Sequence, residues 1–404
     1  MSRAAGRLGL FLALAAGITG CQERLTAPAE CPELCPGGES RVFDTVINPL
    51  PGSDTSHSGF VARQAAGAVL VSNGLFPSQD RAVYRFNARP DSIEVRDTLR
   101  AYTVDSALLT LNLIARDTLV DGLKLYLYRI DPAVSAEATF ASIEQQLVPE
   151  AIIDSIAVPD TLNTGLVRTL LQGEDLAKVD LPLGSGGVLA VAVSMASEQP
   201  SGVRLGSLVA GTGPTFVSFV TLDVPDTGSA RRQSVTRAPA LNTYVSESLT
   251  VAQPDLLAVG GEPSSRALLR FDLPQPIEDS ATIVRATLEL LPASPMVGLP
   301  TDPPLLQAKA LLADLGAKSP VTTDERFIAS DTLPVGSADT VRLDVTSIVR
   351  LWQSVDERPE ALFLSLLPEA ASFTRPVFGS TRSVTPGAPR LRVTYLKPFP
   401  FESP

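Results

Sequence analysis

The chain has 404 residues, of which 44% are hydrophobic, and a formal net charge of −11 at pH 7. A surface this acidic repels phosphate backbones and anionic head groups, so the composition argues against nucleic acid as a partner. The length exceeds what a single hydrophobic core normally serves and predicts two domains. With 34 prolines and few long helix-favouring stretches, the sequence is typical of short strands joined by turns.

The first twenty residues have the pattern of an export signal. Arg3 and Arg7 form a basic start, followed by the apolar run Leu8–Ala16 and by Ile18-Thr19-Gly20-Cys21. The apolar run is well short of the ~20 residues that a membrane-spanning helix needs. The four residues Ile18-Thr19-Gly20-Cys21 resemble the lipobox of bacterial lipoproteins, in which the cysteine carries the lipid. We therefore predict a signal peptide over residues 1–20 and lipidation of Cys21, with an ordinary signal peptide and a chance cysteine as the alternative.

Lipidation of Cys21 would place the mature protein in the cell envelope. Removal of residues 1–20 takes away two arginines but no acid, which leaves 31 basic and 44 acidic side chains and a net charge of −13. Attachment to a membrane would then depend on acyl chains such as palmitate, of which several on one cysteine make a durable anchor. Gln22 follows the cysteine where an acid could stand, which by analogy with double-membrane bacteria predicts the outer membrane.

A Pro/Gly-rich stretch over residues 21–40 predicts a flexible tether and holds the other two cysteines, Cys31 and Cys35. Metal binding would need further ligands, and the single histidine, His57, has no cluster of ligands around it. In an oxidising envelope we expect a disulfide between Cys31 and Cys35, with free or transient thiols as the alternative. His57 is expected to be an exposed loop residue that precedes the first strong strand.

The two halves of the chain carry the same strand pattern in the same order. Arg266–Phe271 alternates with period two, and Arg81–Phe86 matches it, including both arginines, the alanine and the phenylalanine. Three further matches follow in order: Thr110–Leu113 with Thr287–Leu290, Val188–Val193 with Ala361–Leu366, and Val203–Ser207 with Pro376–Ser380. Four ordered matches predict an all-β chain of two tandem antiparallel, jelly-roll-like β-sandwich domains.

The turn-rich segments between these matches suggest the domain boundaries. We predict a divergent β-sandwich domain over residues 41–225, a linker over 226–240, a second β-sandwich domain over 241–397 and a tail over 398–404. The linker is polar and basic, and turn-forming residues are frequent in it.

One segment breaks the strand rhythm. In Asp344–Trp352 the apolar side chains recur at helical spacing, which predicts a short helix over one end of the second sandwich, capped by Asp344 or Thr346. The counterpart in the first half, Val167–Asp175, keeps only its Val-Arg start.

The C-terminal half is similar to the DNRLRE-type domain of bacterial surface proteins. The resemblance rests on several segments: Asn242–Val245, Arg266–Leu273, Ala286–Leu290, Asp344–Trp352, Phe378–Arg382 and Pro389–Tyr395. It covers about residues 241–397 and is weak over about 60–224. Such domains resemble jelly-roll carbohydrate-binding modules, so the resemblance implies binding or scaffolding outside the cell. It also implies a structural calcium ion as an alternative to no cofactor, although no compact Asp-x-Asp-x-Asp loop occurs.

Sequence motifs of catalysis are missing, since no Gly-x-Ser-x-Gly elbow, Walker loop or His-Glu-x-x-His occurs. Two carboxylates brought together in space would suffice for a hydrolase, and Asp272, Glu289 and Asp344 are the candidates. A strand end, a solvated face and a helix cap are simpler roles for these three acids. We therefore predict a non-enzymatic protein that attaches to a polysaccharide or another surface component. A structural or assembly lipoprotein that binds other proteins is the alternative, and a glycan-degrading enzyme is the third hypothesis.

Candidate ligand contacts are few, because aromatic residues make up only 5% of the chain. Helical spacing predicts that Trp352 is buried, and strand alternation points Tyr84, Phe271 and Tyr395 inward. The tyrosines expected to be exposed are Tyr126, Tyr128 and Tyr244. Arg85 and Arg270 recur at equivalent positions on the face away from the core, where they either recognise an anionic ligand or pair with acids across strands.

Overall fold

The computed structural model describes residues 42–75, 79–95, 97–180, 187–222, 231–247, 255–262, 264–315, 322–354 and 358–397. The predicted signal peptide, the lipidation site Cys21, the pair Cys31 and Cys35, and the tail lie outside these residues. The chain divides into two compact units, Met1–Phe43 and Asp44–Pro404. Of the first unit only Val42 and Phe43 are described, and both sandwiches lie in the second.

The fold is all-β and antiparallel, as the alternation of the sequence predicted. In the first half the strands are β1 Val42–Ile47, β2 Thr55–Ser58, β3 Ala68–Asn73, β4 Asp80–Phe86, β5 Ile93–Val95, β6 Thr98–Arg100, β7 Tyr102–Arg116, β8 Lys124–Ile130, β9 Ile152–Ala157, β10 Gly165–Leu171, β11 Leu189–Ala196, β12 Ser201–Gly206 and β13 Thr215–Leu222. In the second half they are β14 Arg232–Arg237, β15 Pro239–Ser246, β16 Leu256–Ala258, β17 Ser265–Arg270, β18 Thr282–Leu290, β19 Leu305–Ala313, β20 Thr322–Thr332, β21 Val341–Asp344, β22 Ala361–Leu367, β23 Val377–Gly379 and β24 Arg390–Leu396.

The helices between these strands are short. They are α1 Phe140–Glu144, α2 Gly173–Val179, α3 Gln275–Glu278 and α4 Thr346–Ser354, together with 3₁₀ turns at Arg63–Ala65 and Pro149–Ala151. Among the described residues no helix is long and apolar enough to cross a lipid bilayer.

Sandwich one contains the strands from β3 to β15. Its sheet I runs in the order β14-β13-β7-β12-β3, with β10 also paired to β7, and its sheet II runs in the order β15-β4-β11-β8-β9. The small ribbon of β5 and β6 stands apart from both sheets. Side chains that alternate along β7 and β8, such as Leu109, Leu111, Leu125 and Leu127, are buried together between the sheets.

Sandwich two has the same strand order. Its sheet III runs in the order β1-β24-β18-β21 and its sheet IV in the order β2-β17-β22-β19-β20, beside the short pair of β16 and β23. All four sequence matches occupy equivalent strands, because β4, β7, β11 and β12 of sandwich one correspond to β17, β18, β22 and β23. The repeat in the sequence is therefore a repeat of strand order in space.

The strands that complete sandwich two come from the start of the described chain. β1 borders β24, and β2 pairs with β17, so that residues 42–58 precede sandwich one in sequence but belong to sandwich two. The equivalent places in sandwich one are taken by β14, which pairs with β13, and β15, which pairs with β4. Edge strands need partners, and each sandwich obtains them from a segment that lies next to the other sandwich in sequence.

This arrangement differs from the predicted boundaries. Residues 42–58 were assigned to the first domain, residues 226–240 to a linker, and Asn242 to the start of the second domain. Instead, β14 and β15 lie within sandwich one. His57 lies on β2 opposite Arg266 rather than in an exposed loop. Alternation shows which face of a strand is buried but not which strand lies beside it, and this explains the difference.

The predicted helix over one end of sandwich two is confirmed as α4. It buries Ile348, Val349, Leu351 and Trp352, and the Trp352 ring lies 6.1 Å from that of Phe271. β10 and α2 hold the same places in sandwich one as β21 and α4 in sandwich two, although the sequences of these segments share little.

Candidate functional site

The structure places the three predicted tyrosines differently. Tyr244 was expected to be exposed, and this was wrong: it is fully buried, and its hydroxyl donates a hydrogen bond to the Ala370 carbonyl oxygen at 2.5 Å. Tyr126 and Tyr128 are half-buried on β8, where the Lys124 ammonium lies 5.2 Å from the Tyr126 ring centroid. Tyr244 therefore holds the fold together and is not available to a ligand.

The two predicted arginines are engaged within the protein. Arg270 donates hydrogen bonds from Nε and Nη2 to the carboxylate of Asp314 and from Nη1 to the Ser53 carbonyl oxygen at 2.8 Å. The hydrogen bond to Asp314 raises the pKa of Arg270. Arg85 donates to the Val134 carbonyl oxygen at 2.9 Å. Pairing with an acid is thus the role that Arg270 has, whereas Arg85 fastens the segment that lies over sheet II.

The three candidate carboxylates do not form one group. Asp272 is exposed just after β17. Glu289 lies 3.7 Å from Arg342 and 3.5 Å from Arg392 on the outer face of sheet III. Asp344 lies diagonally from Glu289 on that face and accepts hydrogen bonds from the hydroxyl and the backbone N–H of Thr346, which lower its pKa. Asp344 thus has the predicted role at the start of α4.

No group of three or more His, Cys, Asp or Glu side chains that could hold a metal ion occurs in the described parts of the chain. The described residues therefore offer no set of ligands for the structural calcium ion that was predicted as an alternative.

The most closely connected polar side chains lie at the junction between the two sandwiches. The side chain of Glu262, on the loop between β16 and β17, is only 6% exposed and forms an ion pair with Arg63. Its second oxygen lies 3.4 Å from the Tyr244 hydroxyl. Burial and the charges of Glu262 and Asp80 raise the pKa of Tyr244. We call Arg63, Tyr244, Glu262 and Ala370 the junction cluster.

Further bonds across the junction strengthen the connection. Arg204 on β12 donates a hydrogen bond to Asp302 at 2.8 Å, and Thr301 donates to the Arg116 carbonyl oxygen at 3.0 Å. Phe373 fits against Gly202, where an added Cβ would lie 2.8 Å from its ring. Side chains from loops of the second half, including Leu299 and Phe373, belong to the hydrophobic core of sandwich one. The junction cluster is therefore structural, and it holds the sandwiches as one body.

Next to the junction cluster, Asp80 anchors β15 in sandwich one. Its carboxylate accepts hydrogen bonds from the hydroxyls of Ser72 on β3 and Ser246 on β15. Burial raises the pKa of Asp80, because removing a carboxylate from water favours its neutral form. Asp80 thus connects three strands and has no open side for a ligand, since it is almost fully buried.

The outer faces of sheets II and IV differ in what lies over them. In sandwich one, residues 131–151 join β8 to β9 and include α1, whose Ile143 packs on Val83, Ala192 and Val245 of sheet II. In sandwich two, the equivalent connection between β19 and β20 is only residues 314–321. Leu268, Leu311, Ala361 and Phe363 form a buried cluster on the outer face of sheet IV. We call the polar part of this outer face, around Arg266, Gln307, Lys309 and Ser330, the open face.

The open face presents polar groups around Arg266, whose side chain is held in place by an acid and by two aromatic rings. Arg266 donates two hydrogen bonds of 2.7 Å to Glu369, and its guanidinium lies 4.8 Å from the Phe60 ring centroid and 5.4 Å from that of Phe363. Lys309 pairs with Glu325 at 2.9 Å. Beside them lie Gln307 and, opposite it on β20, Ser330. Because each cation has an acid partner, this surface is balanced in charge and suits an uncharged ligand rich in hydroxyl groups.

Sequence reasoning missed the open face. The alternation of Gln307 and Lys309 with buried alanines along β19 carried the signal, but it resembles any solvated strand face. Comparison with known proteins adds no family here, because the chain matches no protein-family model and no curated protein. The resemblance to DNRLRE-type domains therefore stays a prediction.

Proposed function

We propose that this protein is a non-catalytic lipoprotein of the cell envelope, anchored through Cys21, that uses its pair of β-sandwiches to attach to a neutral polysaccharide. The observation that carries the proposal is the open face, which combines amide, hydroxyl and ammonium groups with an arginine stacked on aromatic rings. A DNRLRE-type domain in sandwich two, an acylated Cys21 and an outer-membrane location are parts of the same proposal.

The junction supports this proposal on mechanical grounds. A protein that attaches to an extended polymer must transmit force between its anchor and its binding surface. Residue 44 onward forms one compact unit, and the strands that directly follow the proposed tether, β1 and β2, are part of the sandwich that has the open face. The anchor would thus be joined to the binding sandwich without an intervening flexible domain.

A second candidate function is assembly with another envelope protein, and the outer face of sheet I favours it. Leu166 and Leu170 on β10 are 49% and 53% exposed, and Phe219 on β13 is 40% exposed. They share that face with Leu108 and Val217, which pair across β7 and β13. Exposed apolar side chains grouped on one sheet are a feature of protein-binding surfaces. In that case the protein would act as a structural lipoprotein that binds no sugar.

Cell fractionation tests the anchor. The full chain should partition with membranes, and Cys21→Ser should release it into the soluble fraction, because no acylated residue remains. Separation of inner from outer membranes then tests the location. Membrane retention of the Cys21→Ser variant would contradict anchoring through this cysteine.

Affinity electrophoresis in gels that contain neutral polysaccharides tests the open face. The mature chain without lipid should be retarded, and the double variant Gln307→Ala/Lys309→Ala should lose most of this retardation. Tyr126→Ala, on the equivalent strand of sandwich one, is the matched control and should keep it. No retardation by any polysaccharide would favour the assembly function. Polysaccharide hydrolysis abolished by Asp272→Asn or Asp344→Asn would instead establish the enzymatic alternative.

A further inference from the structure

Two arginines meet at one end of sandwich one. Arg237 is the last residue of β14, and Arg89 follows β4. The Gly187 carbonyl oxygen accepts a hydrogen bond from Nη1 of Arg237 at 2.9 Å and from the backbone N–H of Arg89 at 3.2 Å. A Cβ on Gly187 would lie 3.1 Å from that Arg89 nitrogen, so a glycine permits the close approach. The Arg237 side chain and the Arg89 backbone thus meet at one carbonyl group, and the charge of Arg89 acts on the Arg237 guanidinium.

Both guanidinium groups have a donor that is not used. Arg237 is only 5% exposed, and its Nε–H is buried without a hydrogen-bond partner within the described chain. The same holds for the Nε–H of Arg89. Aromatic rings lie against both groups, with Phe216 at 4.5 Å from the Arg237 guanidinium and Tyr102 at 5.5 Å from that of Arg89. A buried donor without an acceptor costs free energy, so an acceptor that binds to both Nε–H groups would stabilise this part of the protein.

The local charge points to what this acceptor is. Asp180 forms an ion pair with Nη1 of Arg89, and the negative charge of Asp91 raises the pKa of Tyr102. Among the described residues, however, no carboxylate forms a hydrogen bond with Arg237. The neighbouring residues 181–186 contain no acid in their sequence. Burial, together with the positive charge of Arg89, lowers the pKa of Arg237 to about 10. Asp180 also acts on Arg237 through its charge, but its carboxylate is paired with Arg89, so that two guanidinium groups share it. A buried cation without a counter-charge bonded to it is unfavourable, and an anion bound to Arg237 would reduce this cost.

The fold itself does not require this pair. By the offset that relates Arg81 to Arg266, the place of Arg89 is taken in sandwich two by Pro274. Sandwich two therefore forms the same strand order without an arginine there.

We propose that Arg89 and Arg237 form a binding site for one oxyanion, such as a carboxylate group, with their two free Nε–H groups as donors. The site lies in sandwich one and is independent of the open face and of the proposed attachment to polysaccharide. The chemistry is that of guanidinium and carboxylate, which are matched in charge and in planar geometry. The oxyanion is either a free small anion or an acidic group on a saccharide.

Isothermal titration calorimetry on the mature chain without lipid tests the proposal. Acetate, glucuronate and phosphate are titrated at constant ionic strength, and we expect saturable binding of one equivalent of at least one of them. Arg237→Gln should weaken it by about tenfold or more, because it removes the buried charge. Tighter binding of glucuronate than of acetate would identify an acidic saccharide, whereas equal or tighter binding of acetate or phosphate would identify a free anion.

Arg375→Gln is the matched control. The Arg375 Nε–H is also buried without a partner, and Glu262 acts on this side chain through its charge. The other arginine at Glu262, Arg63, donates its own Nε–H to that carboxylate, so among the described residues no second unused Nε–H lies there to complete a site for an anion. Its removal should leave the binding of anions unchanged, and equal loss in both variants would overturn the proposal. If Arg237→Gln fails to fold, Arg89→Gln replaces it, together with bromide soaks of crystals of the unaltered protein. Absence of both saturable binding and an anomalous peak between the two guanidinium groups would also overturn it.

Discussion

Sandwich one and sandwich two have the same strand order but are closed in different ways. Sandwich one is continuous in sequence from β3 to β15, whereas sandwich two combines β1 and β2 with strands that begin some 200 residues later. Contacts of side chains hold these two strands in place. Asp54, which is fully buried between β1 and β2, accepts hydrogen bonds from the hydroxyl and the backbone N–H of Thr381, and Arg382 lies 3.1 Å away.

The outer faces of sheets I and III differ at equivalent positions. On sheet I, Leu166 lies opposite Asn112, whereas on sheet III Arg342 lies opposite Glu289. Sheet III carries linked charges that continue through Arg392 to Asp44 on β1. The repeat thus preserves strand order and inward side chains, while the outer faces and the source of the closing strands are free to vary.

The largest effect should follow deletion of residues 42–58. Without them β17 and β24 lose their neighbours, and the core of sandwich two loses Ile47. We expect loss of the stability of sandwich two, on the order of 5 kcal/mol or more. Hydrogen exchange should show lost protection in β16 to β24 and retained protection in β7 to β11.

Circular permutation provides the control for this deletion. Transfer of residues 42–58 to the C-terminal side of residue 397, through a flexible linker, should restore protection in sandwich two. Undiminished protection after the deletion would show that sandwich two closes without β1 and β2.

A single change at Asp54 should have the next largest effect. Asp54→Ala removes the buried carboxylate that pairs with Arg382 and accepts from the backbone N–H of Thr381, so we expect a loss of about 3 kcal/mol in the free energy of unfolding. Urea denaturation measures this loss. Asp272→Asn, at an exposed acid of the same sandwich, should change it by no more than about 0.5 kcal/mol. Equal effects of both changes would contradict the role of Asp54.

Tyr244→Phe should have a moderate effect, because it removes the hydrogen bond to Ala370 but keeps the packing of the ring. We expect a loss of about 1 to 2 kcal/mol, since the carbonyl oxygen stays buried. Thermal unfolding measures it, with Tyr126→Phe on sheet II as the control. A Tyr244→Phe protein as stable as the unaltered chain would show that the hydrogen bond from Tyr244 to Ala370 does not stabilise the junction.

The smallest effect concerns pH and the charged face of sheet III. Hydrogen bonds from Arg392 and Thr394 hold the pKa of Asp44 below its usual 3.8. The unfolded chain therefore binds more protons in this range, and the contribution of Asp44 is present above pH 3.8 and lost as pH falls through the lowered pKa. Asp44→Asn should flatten the loss of stability measured by urea denaturation between pH 4 and pH 2. An unchanged slope would show that this face does not contribute.

Much of the architecture was accessible from the sequence, because burial of one strand face leaves a period of two. The four repeated segments were identified in this way, and the helix at Trp352 was identified from apolar side chains at helical spacing. β15 shows the limit of such reasoning. Tyr244 faces the core of sandwich one while its neighbour Val245 packs under α1, so both faces of this strand are buried and the alternation disappears.

The functional surfaces were less accessible than the fold. Arg270 could be assigned to an acid partner because charged neighbours on strands pair frequently. Arg237 gave no signal, since its burial depends on β14 lying beside β13, and this segment had been interpreted as a linker. The open face was recognised by comparing the connection between β19 and β20 with the longer one between β8 and β9. This comparison is possible only when the positions of these strands in their sheets are known.

The position of β1 and β2 has a consequence for the order of events on the ribosome. Residues 42–58 are made early, but the neighbours of β1 and β2 include β17 and β24, and β24 ends at Leu396. All the strands of sandwich one have been made when translation reaches Ser246, whereas β1 and β2 must wait for β24, until translation is nearly complete. Pairing between strands so distant in sequence is slow, and until it occurs the unpaired strand edges are exposed and prone to aggregation. A nascent chain of this kind would profit from a holding chaperone that covers its first strands until the last one emerges.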